Sequence, residues 1–439
     1  MLKSIINQID KIKIIKIRGS VTTVKGLIIE CKGITNFVNI GTTCKVLCSE
    51  DNFVLCQVVG FSHEIVLLMA LDNITGIHPG ALVEVVENYN YIFPDNSWLG
   101  RVIGACTEPL DNKGPLHHGE ESYFLYNTPI SVEKRNKLGG KIDLGVKAID
   151  SFVTCCYGQR MGIFSGSGVG KSVLISMLTK YADVDVKVIG LIGERSREVK
   201  EFINEYLGEE GLKKSVVIVA TGDEPALTRT RAAYLTMTVA EYFRDQGKEV
   251  LCIVDSITRF AMAKREIGLA SGEPPTTKGY TPSVFSSLPQ LLERAGPGIA
   301  DNSITALFSV LVEGDDHNEP ISDAVRAILD GHIVLDRKIA ERNRFPAVDI
   351  LKSISRTIPG CNSKEENDII NKIKKMLSIC SDMEDLIRIG AYKKGTNPEI
   401  DESIIYYNEI EKFLQQSPKE KNSMADSYKM LGNIVKNIK

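Results

Sequence analysis

The stretch that most constrains this chain is Gly158 to Ser172, GQRMGIFSGSGVGKS. Met161 to Phe164 is a short apolar run of strand type, and the glycine-rich turn behind it leads through Lys171 and Ser172 into a helical pattern beginning Val173, Leu174, Ile175. A strand, a phosphate loop and a helix follow from that order. Glycines 166, 168 and 170 lack a Cβ, so the backbone from Gly166 through Ser167, Gly168, Val169 and Gly170 to Lys171, Ser172 and Val173 can curl around one anion at the helix N-terminus. Lys171 is then placed to reach the β- and γ-phosphates, and the Ser172 hydroxyl to ligate Mg²⁺. The strict spacing G-x-x-x-x-G-K-[ST] requires glycine at 165, where this chain has Ser165. The inward-pointing amides belong to residues nearer the lysine, so the nest survives the serine.

With 439 residues the chain has room for two to four domains, each with its own core. A net charge of −3 with 25% charged and 43% hydrophobic residues is ordinary for a soluble globular protein and argues against nucleic acid as the main partner. The opening MLKSIINQIDKIKIIKIRG mixes charges among isoleucines, so it is neither a signal peptide nor a membrane span. Of ten cysteines, Cys31, Cys44, Cys48, Cys56, Cys106 and Cys252 sit in apolar runs, as thiols packing like small hydrophobes do. No C-x-x-C pair or histidine at ligand spacing supports zinc. The vicinal Cys155 and Cys156 read as core filler in a reducing cytoplasm.

Residues 20 to 88 alternate short β-type runs with glycine-containing turns, the pattern of a small closed β-barrel. Such a barrel could bind RNA, but the first 85 residues carry eight Lys/Arg against seven Asp/Glu and few aromatics, which favours packing or assembly. LDNKGPLHHGEES, around 110 to 122, reads as a polar linker in which His117 and His118 are solvated. Beyond the loop, strand and helix patterns alternate, which implies a parallel sheet flanked by helices. VKVIGLIGE (186–194), SVVIVAT (215–221) and EVLCIVDS (249–256) are strands, and 229–245 is a helix stopped at Gly247. Ligands of open α/β sheets lie at the carboxyl ends of the strands, so Glu194 and Asp255 should face the loop's crevice. From about residue 360 the chain becomes charged and helical. The expected fold is α/β: an N-terminal arm and small β-barrel (1–88), a central P-loop domain with a parallel sheet (89–355) and a C-terminal α-helical domain (356–439).

Hydrolysis of a bound triphosphate requires a held metal ion, an oriented water and positive charge near the phosphate oxygens. Asp255, at the end of a hydrophobic strand, can accept hydrogen bonds from metal-bound water. Glu194 can take the proton of the attacking water, or could instead pair with Arg195 or Arg197. Candidates for the positive charge are Arg195, Arg259, Arg337 and Arg356, which local pattern does not rank.

These residues together resemble the hexameric ATPases of protein export, the flagellar and type III secretion ATPase family related to the catalytic subunits of F-type ATP synthases. The resemblance runs from about residue 20 and rests on GSGVGKS (166–172), IGERSREVKEF (192–202), DEPALTRTRAAY (223–234), AEYFRDQGKEVLCIVDSITRFAMAKREIGLASGEPP (240–275), KGYTPSVFSSLPQLLERAG (278–296), EGDDHNEPISDAVRAILDGHIVLDRKIAE (313–341), FPAVDILKSISR (345–356) and GAYKKGTNPEID (390–401). It implies a RecA-like central domain that binds ATP and Mg²⁺, with Lys171 and Ser172 on the phosphates and metal, Glu194 the catalytic carboxylate and Asp255 the Walker B aspartate. It further implies that Arg356 reaches into a neighbouring subunit's site, that Phe345 stacks on the adenine, and that the chain works as a homohexamer at the cytoplasmic face of the membrane. Implied partners are a stator-like regulator docked on the N-terminal arm before residue 20, a central stalk protein, membrane proteins of the export gate and the exported substrates. Departures from the family pattern are Ser165, Gly-Lys in GGKIDLGVKAID (139–150) and Asp336 before Arg337. Two other readings share the core: a non-catalytic subunit of a rotary ATPase, which the carboxylate at Glu194 disfavours, and a ring-shaped RNA translocase, which the weakly charged barrel disfavours.

Overall fold

A computed structural model describes residues 16–49, 52–86, 89–312, 314, 316 and 319–436. Most of the N-terminal arm expected to dock a regulator, residues 1–15, lies outside the described residues. Six strands, β1 (Arg18–Lys25), β2 (Ile28–Lys32), β3 (Thr43–Leu47), β4 (Phe53–Ser62), β5 (Ile65–Ala70) and β6 (Leu82–Val86), close in the order β1-β2-β5-β4-β3-β6. Every pair is antiparallel. Alternate residues face inward, so Val21, Ile29, Val46, Val58 and Leu68 fill the barrel with Cys31, Cys44 and Cys56, and those thiols pack as apolar groups.

The second sheet contains β7 (Val102–Gly104), β8 (Arg160–Ser165), β9 (Val186–Glu194), β10 (Ser215–Thr221), β11 (Val250–Asp255), β12 (Ser303–Leu311), β13 (Gly331–Leu335) and β14 (Val348–Ser355). Their spatial order is β14-β13-β8-β12-β11-β9-β10-β7, parallel throughout except for the antiparallel pair β13 and β14. Helices cover both faces, which is why the strands read as nearly continuous aliphatic runs. On one face α1 (Lys171–Tyr181) packs Leu174 and Leu178 against Met161 and Ile163. Ile370 and Ile373 of α5 (Lys364–Arg388), Phe413 of α6 (Pro398–Leu414) and Leu431 of α7 (Met424–Lys436) join the same core. On the other face α2 (Ala226–Asp245), α3 (Ile257–Ala270) and α4 (Pro282–Leu292) bury Ala233, Met237, Phe260 and Leu288 with Phe164, Cys252 and Phe308.

β9 and β10 span the residues anticipated for them. The helix expected over 229–245 begins a turn earlier, at Ala226. That extra turn holds the barrel: Leu227 packs with Ile28, Met69 and Leu71, and the Thr228 hydroxyl donates to the Leu71 carbonyl at 2.5 Å. Residues 110 to 122 are tied down more firmly than a linker would be. Asp111 is held by Arg101 at 2.7 Å, and Trp98 Nε1 donates to the His117 carbonyl at 2.7 Å, while the rings of His117 and His118 stay exposed. α5 starts at a capping box in which Ser363 and Glu366 satisfy each other's backbone N–H groups.

Candidate active site

β8 ends at Ser165, and the backbone turns through Gly166 to Gly170 into α1. Gly168 and Gly170 have φ of 79° and 89°, a left-handed conformation that glycine adopts without strain. Around Gly168 there is open space where a ligand can sit. Ser165 is wholly buried beneath the loop, and its hydroxyl has no hydrogen-bond partner. The departure from glycine therefore falls on the strand, below the nest. Ser167, Gly168 and Ser172 are exposed at the loop's mouth, and Gly166 and Val169 are buried under it.

Three charged side chains converge there. Lys171 opens α1 and reaches across β12 to form an ion pair with Asp255 Oδ1, the terminal residue of β11. The same ammonium lies 3.5 Å from Oε1 of Glu194, the terminal residue of β9. Ser309 of β12 donates its hydroxyl hydrogen to Asp255 Oδ1. The side chains of Lys171, Glu194 and Asp255 are only 10%, 16% and 7% exposed, so water screens their charges poorly. Burial pushes the Glu194 carboxyl up to about 7; Lys171 opposes the rise and the Asp255 charge adds to it. Burial also works against the Lys171 ammonium, yet Asp255 and Glu194 together hold its pKa above the ordinary lysine value.

Phe345 lies against the loop: a Cβ on Gly170 would sit 3.4 Å from its Cδ1, and the ring is 37% exposed. Val173 is half-buried in the first turn of α1. The four arginines separate cleanly. Arg195 precedes a short helix, its side chain 86% exposed and 3.6 Å from Glu198, at the rim of the cluster and outside it. Arg259 packs its stem on Gly193, where an added Cβ would fall 2.8 Å from Arg259 Cβ, so the turn before Glu194 accepts only glycine. Arg337 Nη2 approaches the Ser167 carbonyl at 3.4 Å. Arg356 is at the opposite end of the sheet. β14 runs antiparallel to β13 and sets Ser355 across from Gly331, and Arg356 N donates to the Asp330 carbonyl. Asp330 in turn binds Arg160 at the start of β8. The length of β8, roughly 20 Å of strand, separates Arg356 from its own loop.

The Ser309 contact was not anticipated, because a hydroxyl inside SITALFSVL carries no local signal. It becomes visible only once β12 is placed between β8 and β11.

Residues 145–355 match the ATP synthase alpha/beta family nucleotide-binding domain, 14–86 the β-barrel domain of the same family, and 362–433 the T3SS EscN ATPase C-terminal domain. The flagellum-specific ATP synthase of Caulobacter vibrioides is 52% identical over 99% of both chains. This chain belongs to the flagellar and type III secretion ATPase family. As an export ATPase by descent, it is also 47% identical to the flagellum-specific ATP synthase of Bacillus subtilis, over 99% of each chain. Its fold follows that of the assembled ATPase EscN from the enteropathogenic E. coli type III secretion system, with a TM-score of 0.90 and 41% identity over 95% of this chain and 100% of that one. EscN in complex with its central stalk EscO gives a TM-score of 0.87 at the same identity and coverage.

Proposed function

We propose that this export ATPase hydrolyses Mg²⁺-bound ATP at the interfaces of a homohexameric ring and so energises flagellar-type protein export from the cytoplasmic face of the membrane. The convergence of Lys171, Glu194 and Asp255 at the mouth of the glycine loop carries this reading. The loop amides and Lys171 bind the phosphates, Gly166 through Val173 forming the cradle, and Phe345 offers a ring face beside it for the adenine. Glu194, with a proton affinity near neutrality, accepts the proton of the attacking water. Donors left for a metal are oxygens, the Ser172 hydroxyl and Asp255, and Asp255 already carries a cation in Lys171. That set fits Mg²⁺, which when bound supplies positive charge against the phosphate oxygens.

Arg356 lies too far from its own loop to act there, which supports its acting on the site of the next subunit. Arg195, exposed at the rim, is placed to complete the site as subunits close. Domain limits of 1–88, 89–355 and 356–439 are proposed on the same grounds. The partners proposed are a central stalk protein, a stator-like regulator, membrane proteins of the export gate and exported polypeptides, with no nucleic acid. No helix among the described residues is long and apolar enough to cross a membrane, so contact with the membrane is proposed as peripheral.

ATP hydrolysis measured against protein concentration tests the shared site. Specific activity should rise steeply with concentration in the wild type, and Arg356→Ala should lose that rise, falling roughly 10³-fold or more while still taking up nucleotide. Flat specific activity, equal in both proteins, refutes it.

A further inference from the structure

Gln159 stands immediately before β8, and its own backbone is fixed: the N–H donates to the Cys156 carbonyl at 3.0 Å, and the carbonyl accepts from Ala306 N of β12 at 3.0 Å. The side chain is wholly buried. Burying an amide costs free energy unless its polar atoms are bonded, and here every donor and acceptor is used. Oε1 accepts from Cys156 N at 2.9 Å and from Thr357 Oγ1 at 3.2 Å, while Nε2 donates to the Asp330 carbonyl at 3.1 Å and to Ser355 Oγ at 3.0 Å. A backbone N–H can only donate and a backbone carbonyl can only accept, so Cys156 and Asp330 fix which way the amide faces.

Three of those four bonds surround one residue. Ser355 and Thr357 flank Arg356, and the Asp330 carbonyl that Gln159 reaches also accepts from Arg356 N at 2.9 Å. The backbone on both sides of the arginine is thereby pinned. Ser355 is held further by donating its hydroxyl hydrogen to the Thr154 carbonyl at 2.7 Å, and the Asp330 carboxylate receives Arg160 N at 3.1 Å, Nε at 3.0 Å and Nη2 at 3.1 Å. Arg356 itself is exposed. A pinned backbone beneath an exposed head group suits an arginine that meets charge outside its own fold, because less freedom is lost on contact.

We infer that Gln159 is the positioning residue for Arg356 and acts through it on the next subunit's site; the inference rests on the reading of Arg356 given above. β8 has Gln159 before its first residue and the glycine loop after its last, so the loop a subunit keeps and the arginine it lends are mounted at opposite ends of one strand. Losing the amide leaves β8 paired with β12 and β13 on its two sides, whereas Ser355 and Thr357 both lose their tie to the start of the strand. The damage should therefore fall on the arginine.

Gln159→Met keeps most of the side chain's volume and removes all four bonds. In the full-length protein it should lower kcat about 10²-fold with KM for ATP within about twofold, because a displaced arginine is missed in the transition state rather than in nucleotide uptake. Amide exchange at 355–357 should quicken about tenfold and stay unaltered at 166–173. Thr357→Val, which removes only the Oε1 partner in the turn, should show the same signature at about threefold in kcat, and carries the test if Gln159→Met folds poorly. Mixed rings then give the direction of the effect. Lys171→Ala subunits lack a working loop but keep Arg356, so mixing them with Gln159→Met should raise turnover at least about tenfold over either variant alone. Mixing Gln159→Met with Arg356→Ala should gain nothing. The opposite pattern of rescue puts the damage at the subunit's own loop and overturns the inference, as does unaltered exchange at 355–357 or a wild-type kcat. Arg356→Ala mixed with Lys171→Ala tests the underlying reading alone: no recovery there strikes the shared site, whereas recovery there with none for Gln159→Met strikes only the role of Gln159.

Discussion

Two groups of buried opposite charges lie in the same domain, and only one is at peace. Arg294 meets Glu241 through two contacts, Nε to Oε1 at 2.8 Å and Nη2 to Oε2 at 2.7 Å. Its other N–H groups reach the Leu125 carbonyl at 2.8 Å and Thr238 Oγ1 at 2.9 Å, and the two side chains are 0% and 3% exposed. One cation faces one anion in the planar geometry that a guanidinium fits best. At the loop mouth one ammonium serves two carboxylates, and the Glu194 contact is a long 3.5 Å. Among the described residues neither carboxylate forms an ion pair with a second cation, and burial, with the Asp255 charge adding to it, holds the Glu194 proton up to about neutral pH. Charge that the chain itself satisfies supports structure; charge left unbalanced at a strand end marks the place for a ligand.

The largest expected effect is on turnover. Glu194→Gln keeps the shape and hydrogen-bonding capacity while removing the base, so ATP hydrolysis should fall between about 10²- and 10⁴-fold with nucleotide uptake retained. Phosphate release and calorimetric titration measure the two separately. Unchanged turnover breaks the comparison, because Glu194 would then be one more structural carboxylate. In the wild type, kcat/KM should decline below about pH 7 as Glu194 takes its proton, and a profile flat down to pH 5 argues against the role.

The satisfied pair should behave in the opposite way. Arg294→Met leaves Glu241 buried without its cation and should cost about 3–5 kcal/mol of stability by urea unfolding. Replacing both partners, Arg294→Met with Glu241→Leu, should recover most of that loss, since no unpaired charge remains. A single-variant cost under ~1 kcal/mol means that the pair is not the closed unit its geometry describes.

What could be read from the residues beforehand follows from how local each signal is. The loop, Lys171, and the carboxylates closing β9 and β11 were legible because strand, glycine turn and strand-end acid are each patterns of a few neighbouring residues. Closure of a small barrel was legible from the spacing of its β-type runs for the same reason, although the count of six strands was not. Ser309 was not, since its partner is set by the register of β12 against two other strands. The ranking of the arginines was hidden because it depends on the direction of β14: one antiparallel strand carries Arg356 to the far end of the sheet, while Arg195 is left at the rim. The early start of α2 was equally hidden, because what sets it is the barrel's Leu71 across the interface.

The smallest effect sharpens the contrast most, because its sign differs between the two sites. The folded protein holds the Glu194 proton up to about pH 7, whereas a glutamate in an unfolded chain releases it near 4.3. Below that lower value both states are protonated and the group contributes nothing. As pH rises towards 7 the unfolded chain ionises freely while the folded one resists, so the folded state loses stability, and above 7 the penalty is constant. Glu194→Gln removes the penalty, and the variant should be more stable than wild type by about 1–3 kcal/mol at pH 8 and nearly equal to it at pH 4.5. Glu241→Gln instead strips a buried guanidinium of its counter-charge and should destabilise the protein at pH 8. Unfolding midpoints of the two variants at both pH values decide the matter. If Gln at 194 also destabilises at pH 8, Glu194 is held by the fold as firmly as Glu241 is, and its proton is not available for exchange with a bound water.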